Sequence, residues 1–254
     1  VKAGIWNGEA LRLWSLDTQD TAPQDAPCQA GLDAALETHA PMILAGTSAA
    51  PRGLPCKPLP DALQGSPAHI PPLSQDTPLT VTNGEEVAIA GFIALHPKFD
   101  GILCLPTDAS TLWVHVSAEE VVSMRRVLTG ALVSALFSEG LSLKEVEPFK
   151  DALSDTMSRP EMAALRLGSL QTETAQHRLD TPEAASRASA ALIGAELAAT
   201  RAYWLGQPVA LIGTAHLRAP YRVALESQFV PLTEVEDAAM YHAGFAQAKD
   251  RITA

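Results

Sequence analysis

The chain has 254 residues, nearly half of them apolar, and a formal net charge of −11. That length is enough to bury a sizeable core in one large domain or two small ones, and the composition is globular rather than disordered or fibrous. The acidic balance argues against nucleic acid or an anionic membrane as partner, because both need basic patches; a polyanionic ligand would need local cations or Mg²⁺ beside it.

Residues 1–6 and 11–16 read as two short strands around Asn7-Gly8, a dipeptide that tolerates positive φ and favours a hairpin turn. Residues 18–27 are polar and proline-bearing, so a loop is expected. Residues 30–39 carry Leu32, Ala35 and Leu36 at helical spacing. Residues 41–45, closed by Gly46, suit a buried parallel strand. Eight prolines fall between Pro51 and Pro78, which predicts an extended, mostly irregular segment over the first lobe. Residues 85–95 resume as helix, and the break at 96–101 places a lobe boundary there. This gives an N-terminal lobe, 1–97, and a C-terminal lobe, 98–254.

Three sequential strands follow at 102–105, 112–116 and 121–128. Ser117-Ala-Glu-Glu120 matches a capping box, but Val121, Val122, Val127 and Leu128 favour strand over helix. Helices are expected at 130–137 and through the middle to Gly168. Thr181-Pro182-Glu183 supplies a cap, a proline in the first turn and an acid, so a helix should run to about Leu205, with Gly206 past its end. A strand at 208–212, a helix at 217–227, a strand at 229–233 and a helix at 235–251 complete the chain. The pattern alone is mixed α/β with two lobes, each opening on antiparallel strands.

Cys28, Cys56 and Cys104 show no zinc spacing and, being odd in number, make a poor disulfide framework; a reducing, cytoplasmic compartment is expected. The longest apolar stretch, 87–95, is far short of a membrane span, and the start shows no signal-peptide pattern, so a soluble protein is expected.

Several stretches resemble the 2-keto-3-deoxygalactonate kinases (2-dehydro-3-deoxygalactonokinases). They are Ala191-Leu-Ile-Gly-Ala-Glu-Leu197, Leu211-Ile-Gly-Thr214, Tyr241-His-Ala-Gly-Phe245, Val127-Leu-Thr-Gly-Ala-Leu132, Asn83-Gly-Glu-Glu86 and Met42-Ile-Leu-Ala-Gly46, and their shared order along the chain carries the likeness. The resemblance implies a two-lobed, actin-like ATPase (ribonuclease H-like) sugar-kinase fold, with ATP and Mg²⁺ as cofactors. It implies a sugar acid phosphorylated at O6 and is compatible with a homodimer.

Phosphoryl transfer depends on positioning and charge neutralisation, and in this fold class one hairpin from each lobe wraps the phosphates. Carried over residue by residue, the resemblance places Asn7, Gly8, Ser110, Thr111, Gly213 and Thr214 at the nucleotide, with Gly213-Thr214 on the adenosine side. Arg12, Gly84, Glu85 and Glu86 fall at the sugar acid, and Asp108 and Glu85 are the catalytic candidates. The chain departs from the family at several places. Ile5 stands for the metal-side Asp, Glu9 for a hydroxyl and Leu112 for a Lys, which removes a donor and a positive charge. Thr80 stands for a candidate base, Asn83 for an Arg and Ala131 for a Glu. The structural readings are equally concrete. Asn7-Gly8 makes a turn without a ligand, and acids at 85 and 86 suit a helix N-terminus. Glu196 caps a nucleotide pocket or faces solvent, and His115 and His177 lie on the surface. No metal-ligand set emerges. The resemblance therefore leaves two readings: a kinase of this type, or a degenerate relative that binds a metabolite or partner without turnover.

Overall fold

In the computed structural model, residues 1–6, 10–18, 21–27, 42–46, 49–65 and 67–253 are described. The strands of the first part of the chain are β1 (Lys2–Trp6), β2 (Ala10–Ser15), β3 (Gln24–Pro27), β4 (Met42–Ala45), β5 (Arg52–Gly53), β6 (Ala68–His69), β7 (Leu73–Asp76) and β8 (Leu79–Val81), followed by helix α1 (Glu85–Leu95). Then come β9 (Gly101–Pro106), β10 (Thr111–Ser117), β11 (Glu120–Val127), α2 (Thr129–Leu136), α3 (Val146–Ser158), α4 (Ala163–Ala175), α5 (Thr181–Ala199), α6 (Arg201–Trp204), β12 (Val209–Ile212), α7 (Ala215–Glu226), β13 (Leu232–Val235) and α8 (Asp237–Lys249). The architecture is mixed α/β, as expected. Its contacts divide into two compact units. Unit 1 is Val1–Asp100, Val116–Met124 and Glu236–Ala254; unit 2 is Gly101–His115 and Arg125–Val235. This differs from a single cut after residue 97, because the end of the β10–β11 hairpin and the last helix are grouped with unit 1.

In unit 1 the sheet order is β3-β2-β1-β4-β6. β1 pairs antiparallel with β2, setting Ile5 opposite Arg12, and parallel with β4. The four residues of β4 are all buried, as a strand covered on both faces requires. Trp14 lies in the core, its ring 5.4 Å from Tyr241 and 5.5 Å from Phe245. β3 corrects the expected loop at 18–27. Its polar Gln-Asp-Ala-Pro sequence gives no alternation to read, yet its backbone completes the edge beside β2. The proline-bearing stretch is mostly irregular, but it supplies β5, β6 and β7, and β5-β7-β8 form a small separate sheet. The helix expected at 30–39 and the Asn7-Gly8 turn lie outside the described residues.

α1 is apolar on nearly every side and packs on α8 at very close range. A Cβ on Gly91 would sit 1.9 Å from the Met240 carbonyl oxygen, and one on Gly244 would sit 1.9 Å from that of Val87. Two glycines facing one another let the helix backbones touch.

Unit 2 holds β9 and the parallel strands β12 and β13 of a second sheet, ordered β11-β10-β9-β12-β13. The rejected capping box proves to be a tight turn, with Ala118 and Glu119 both at positive φ, 50° and 64°. α5 starts one residue earlier than expected. Asp180 is the cap, accepting from the Glu183 N–H at 2.8 Å, and Thr181 is the first helical residue. The helix ends at Ala199 rather than Leu205: Thr200 is its C-cap, with N–H and hydroxyl both on the Glu196 carbonyl at 2.8 Å, and a separate turn, α6, follows. The last strand begins at Leu232, not 229; Phe229 sits exposed in a turn at φ 58°.

Candidate functional site

In unit 1 the candidate sugar-acid residues gather around the end of β1. Arg12, opposite Ile5, is half exposed and flanked by two carboxylates, Asp25 at 3.3 Å and Asp237 at 3.8 Å. Gly84 holds φ 102°, and any Cβ there would lie 2.8 Å from the Ile5 side chain. Position 84 therefore needs glycine both for its backbone and for its neighbour. Glu85 and Glu86 are buried and fold back on the loop before them. Glu85 accepts the Asn83 N–H at 2.5 Å and Glu86 the Gly84 N–H at 3.1 Å. Both acids thus satisfy N–H groups that a helix start leaves unpaired. The other oxygen of Glu86 is buried without a hydrogen-bond partner among the described residues. Burial pushes its carboxyl up to about 7, against the pull of the Thr82 hydroxyl. Thr80, in the place of a candidate base, is buried with its hydroxyl on the Pro78 carbonyl.

In unit 2 the β9–β10 turn closes on itself. The Thr107 hydroxyl accepts from the Ala109 and Ser110 N–H groups at 3.3 and 3.0 Å and donates to the Ser110 carbonyl at 2.8 Å. The amide of Ser110, a residue that the resemblance places at the nucleotide, is therefore engaged internally. The start of α2 is docked on the same turn. Ala131 N–H donates to the Ala109 carbonyl at 2.7 Å, and a Cβ on Gly130 would fall 2.4 Å from the Asp108 carbonyl oxygen.

Asp108 is exposed, 3.6 Å from His216 Nε2, whose Nδ1 lies 2.9 Å from the Thr214 hydroxyl. His216 thus joins the turn to the β12–α7 junction and brings Asp108 and Thr214 together. The sequence reading missed it; a histidine two residues after Gly-Thr at a helix start was the available signal. Gly213 meets Pro106 and Arg218 only at ordinary 3.5 Å contacts, so packing does not demand glycine at that strand end.

Two expectations are corrected here. Thr111 is fully buried, its hydroxyl bonded to that of Tyr221, and so cannot reach a surface ligand. Leu112 is also fully buried, so a lysine at that position would point into the core. The positive charge returns from β11 instead, where Arg126 donates to the Ser110 hydroxyl at 2.8 Å.

Glu196 neither caps a pocket nor faces solvent. It is 2 % exposed, with one oxygen accepting Trp113 Nε1–H at 2.7 Å and the other accepting the Thr129 hydroxyl and the Tyr221 hydroxyl, the latter at 2.9 Å. Burial pushes its carboxyl up to about 7 even against these donors.

Asn7 and Gly8 lie outside the described residues, as does Glu9. Among the described residues, no three acids, histidines or cysteines converge in a way that could hold a metal ion, and no helix is long and apolar enough to cross a membrane.

Comparison with known proteins gives one consistent result. Residues 27–248 match the family model for 2-keto-3-deoxy-galactonokinase. A protein of Rhizobium meliloti (strain 1021) described as probable 2-dehydro-3-deoxygalactonokinase DgoK1 is 27% identical over 179 residues, 66% of this chain and 58% of the relative. The match thus spans under two thirds of that relative's length. A crystal structure from Sinorhizobium meliloti, assigned provisionally as a 2-dehydro-3-deoxygalactonokinase, superposes with a TM-score of 0.81 at 23% identity, covering 98% of this chain and 95% of that one.

Proposed function

Because the chain belongs to the 2-keto-3-deoxy-galactonokinase family, we propose that it is an ATP-dependent sugar-acid kinase of actin-like, two-lobed architecture that transfers phosphoryl groups slowly. In this reading unit 2 holds the nucleotide and unit 1 the 2-keto-3-deoxy sugar acid. The observation that carries it is the adjacency, within unit 2, of the β9–β10 turn and the β12–α7 junction around His216. The family resemblance assigns these two segments separately, the turn to phosphates and the junction to adenosine. Arg126, Ser110, His216 and Thr214 supply a cation and donors there, and Gly213 leaves room for close approach of a ligand backbone or ring.

In the transfer, a hydroxyl oxygen of the sugar acid bonds to the γ-phosphorus, the bond from that phosphorus to ADP breaks, and the hydroxyl proton passes to a carboxylate. Glu85 is the acid of unit 1 assigned that task. Mg²⁺, when bound with ATP, would neutralise phosphate charge. The described residues do not form a ligand set for it, and no step is derived through it.

A second reading, binding without turnover, is favoured by one specific observation: Glu85 and Glu86 are both engaged as caps of their own helix. Calorimetry with Mg·ATP on the wild type and on Arg126→Leu tests the nucleotide assignment. Weak but measurable binding, lost in the variant, is expected. Equal binding by both proteins would sink the assignment of nucleotide to this corner of unit 2.

A further inference from the structure

Glu196 is the acid that the proposed chemistry leaves unused, and it occupies a singular position. It lies on α5 two residues beyond Gly194, whose absent Cβ would strike Thr156 Oγ1 and the Leu153 carbonyl of α3 at 2.3 and 2.5 Å. Two residues along a helix turn the side chain through about 200°, so Gly194 faces α3 while Glu196 faces away from it. On that side its two oxygens collect donors from β10 (Trp113), α2 (Thr129) and α7 (Tyr221), and the Tyr221 hydroxyl also meets Thr111 of β10. These three elements carry the nucleotide-side corner. Ser110 directly precedes β10, the start of α2 docks on Asp108 and Ala109, and Thr214 caps α7.

We propose that Glu196 is a positioning residue that holds the β9–β10 turn and the β12–α7 junction in mutual register for nucleotide binding. The inference rests on the assignment of nucleotide to unit 2. The chemistry is one of satisfied donors. An indole N–H can only donate, so Trp113 fixes one carboxyl oxygen as an acceptor. The hydroxyls of Thr129, Tyr221 and Thr111 can each donate or accept, so the other oxygen decides which way they point. An ionised carboxylate draws the hydroxyl protons toward itself; a protonated one must give a proton to a hydroxyl oxygen and turn at least one hydroxyl away. Among the described residues no lysine, arginine or histidine pairs with Glu196. The titratable groups coupled to it are Cys104 of β9 and Tyr221 of α7, both neutral at ordinary pH because burial and the Glu196 charge raise them. Protonation of Glu196 near neutral pH therefore rearranges the hydroxyls with no other charge to compensate.

The test combines proton–nitrogen spectra with ADP binding between pH 5.5 and 8.5, on wild type, Glu196→Gln and Tyr221→Phe. The expected result is a Trp113 indole N–H signal that titrates in wild type, accompanied by the amides of 107–110 and 214–216, and that is flat in Glu196→Gln. ADP affinity should fall several-fold from pH 8.5 to 5.5 in wild type. At pH 8.5 it should be roughly tenfold weaker in Glu196→Gln, with a smaller loss in Tyr221→Phe, which keeps the ring and removes one hydroxyl. A flat Trp113 signal in wild type overturns the proposal, as does an unchanged ADP affinity in both variants. If wild type binds no ADP, the nucleotide assignment falls on its own. The amides then decide: co-titration of both segments with Trp113 supports the positioning role, and silence in either overturns it.

Discussion

Glu86 and Glu196 are two carboxyls folded into surroundings that disfavour charge, and each is pushed up to about 7. Such a group binds its proton more tightly in the folded chain than in the unfolded one. Its stabilising effect is full below the unfolded value near 4.5 and is lost as pH rises toward 7. Each group therefore costs roughly 3 kcal/mol above neutral pH relative to acid conditions. Asp155 and Asp180 are held low by Arg159 and Lys144 and act in the opposite sense, but only at and below 3.8, so they leave this window clear. Urea unfolding between pH 4.5 and 8 should show falling stability, with a shallower slope in Glu86→Gln and again in Glu196→Gln. A slope unchanged by both substitutions would contradict the burial argument. The place of Glu86 in the first turn of α1 was legible in the sequence, but the burial of these two acids was not. α1 and α5 are apolar on almost every side, so periodicity names no solvent face on which to put an acid. His216 was missed for a different reason, since its partner Asp108 is distant in sequence and only the turn brings them together.

At the level of elements, the stretches that carried the family resemblance turn out in part to be packing devices. Gly194 lets α5 meet α3, and Gly244 lets α8 meet α1; in both places a methyl group would enter a backbone carbonyl. Gly244→Ala should cost about 2 kcal/mol or more, because rigid backbone must move to admit it. Gly168→Ala in α4 meets nothing within 4 Å and should stabilise by up to about 1 kcal/mol through helix propensity. Denaturant midpoints of the two variants should move in opposite directions; a loss in both would mean the crossing distance is not what decides. Strands β1, β2, β4 and β9 to β12 and helix α1 were read to within a residue because alternation and apolar runs announce them, whereas the end of α5 and the start of β13 were not. β3 and β6 were not, since short polar or proline-flanked strands owe their pairing to a neighbour rather than to their own residues.

For the molecule as a whole, the prediction is weak Mg·ATP binding and slow or absent phosphorylation of 2-keto-3-deoxygalactonate. Net charge is −11, which opposes a polyanion before any contact is made. Locally, Ile5 provides no carboxylate for a metal, the Ala109 and Ser110 amides are engaged with Thr107, and Arg12 is shared between Asp25 and Asp237. Arg126 offsets this in part, at one point only. Loss of one charge-stabilising donor costs on the order of 3–4 kcal/mol in a transition state, or about a hundred- to a thousandfold in rate. Several losses, even when far from additive, carry turnover below about 1 s⁻¹, the low end of normal enzyme rates. A coupled ADP-release assay with the sugar acid, run beside calorimetry, measures both quantities; micromolar nucleotide affinity with turnover above that rate would defeat the prediction. Variants separate the causes. Glu9→Thr removes one negative charge from the hairpin that the resemblance assigns to the phosphates, and it should tighten Mg·ATP binding about tenfold or more. Leu112→Lys should not restore a phosphate ligand. Leu112 is fully buried, and an unpaired ammonium there destabilises the fold instead, so its signature is a lowered melting temperature with no gain in affinity.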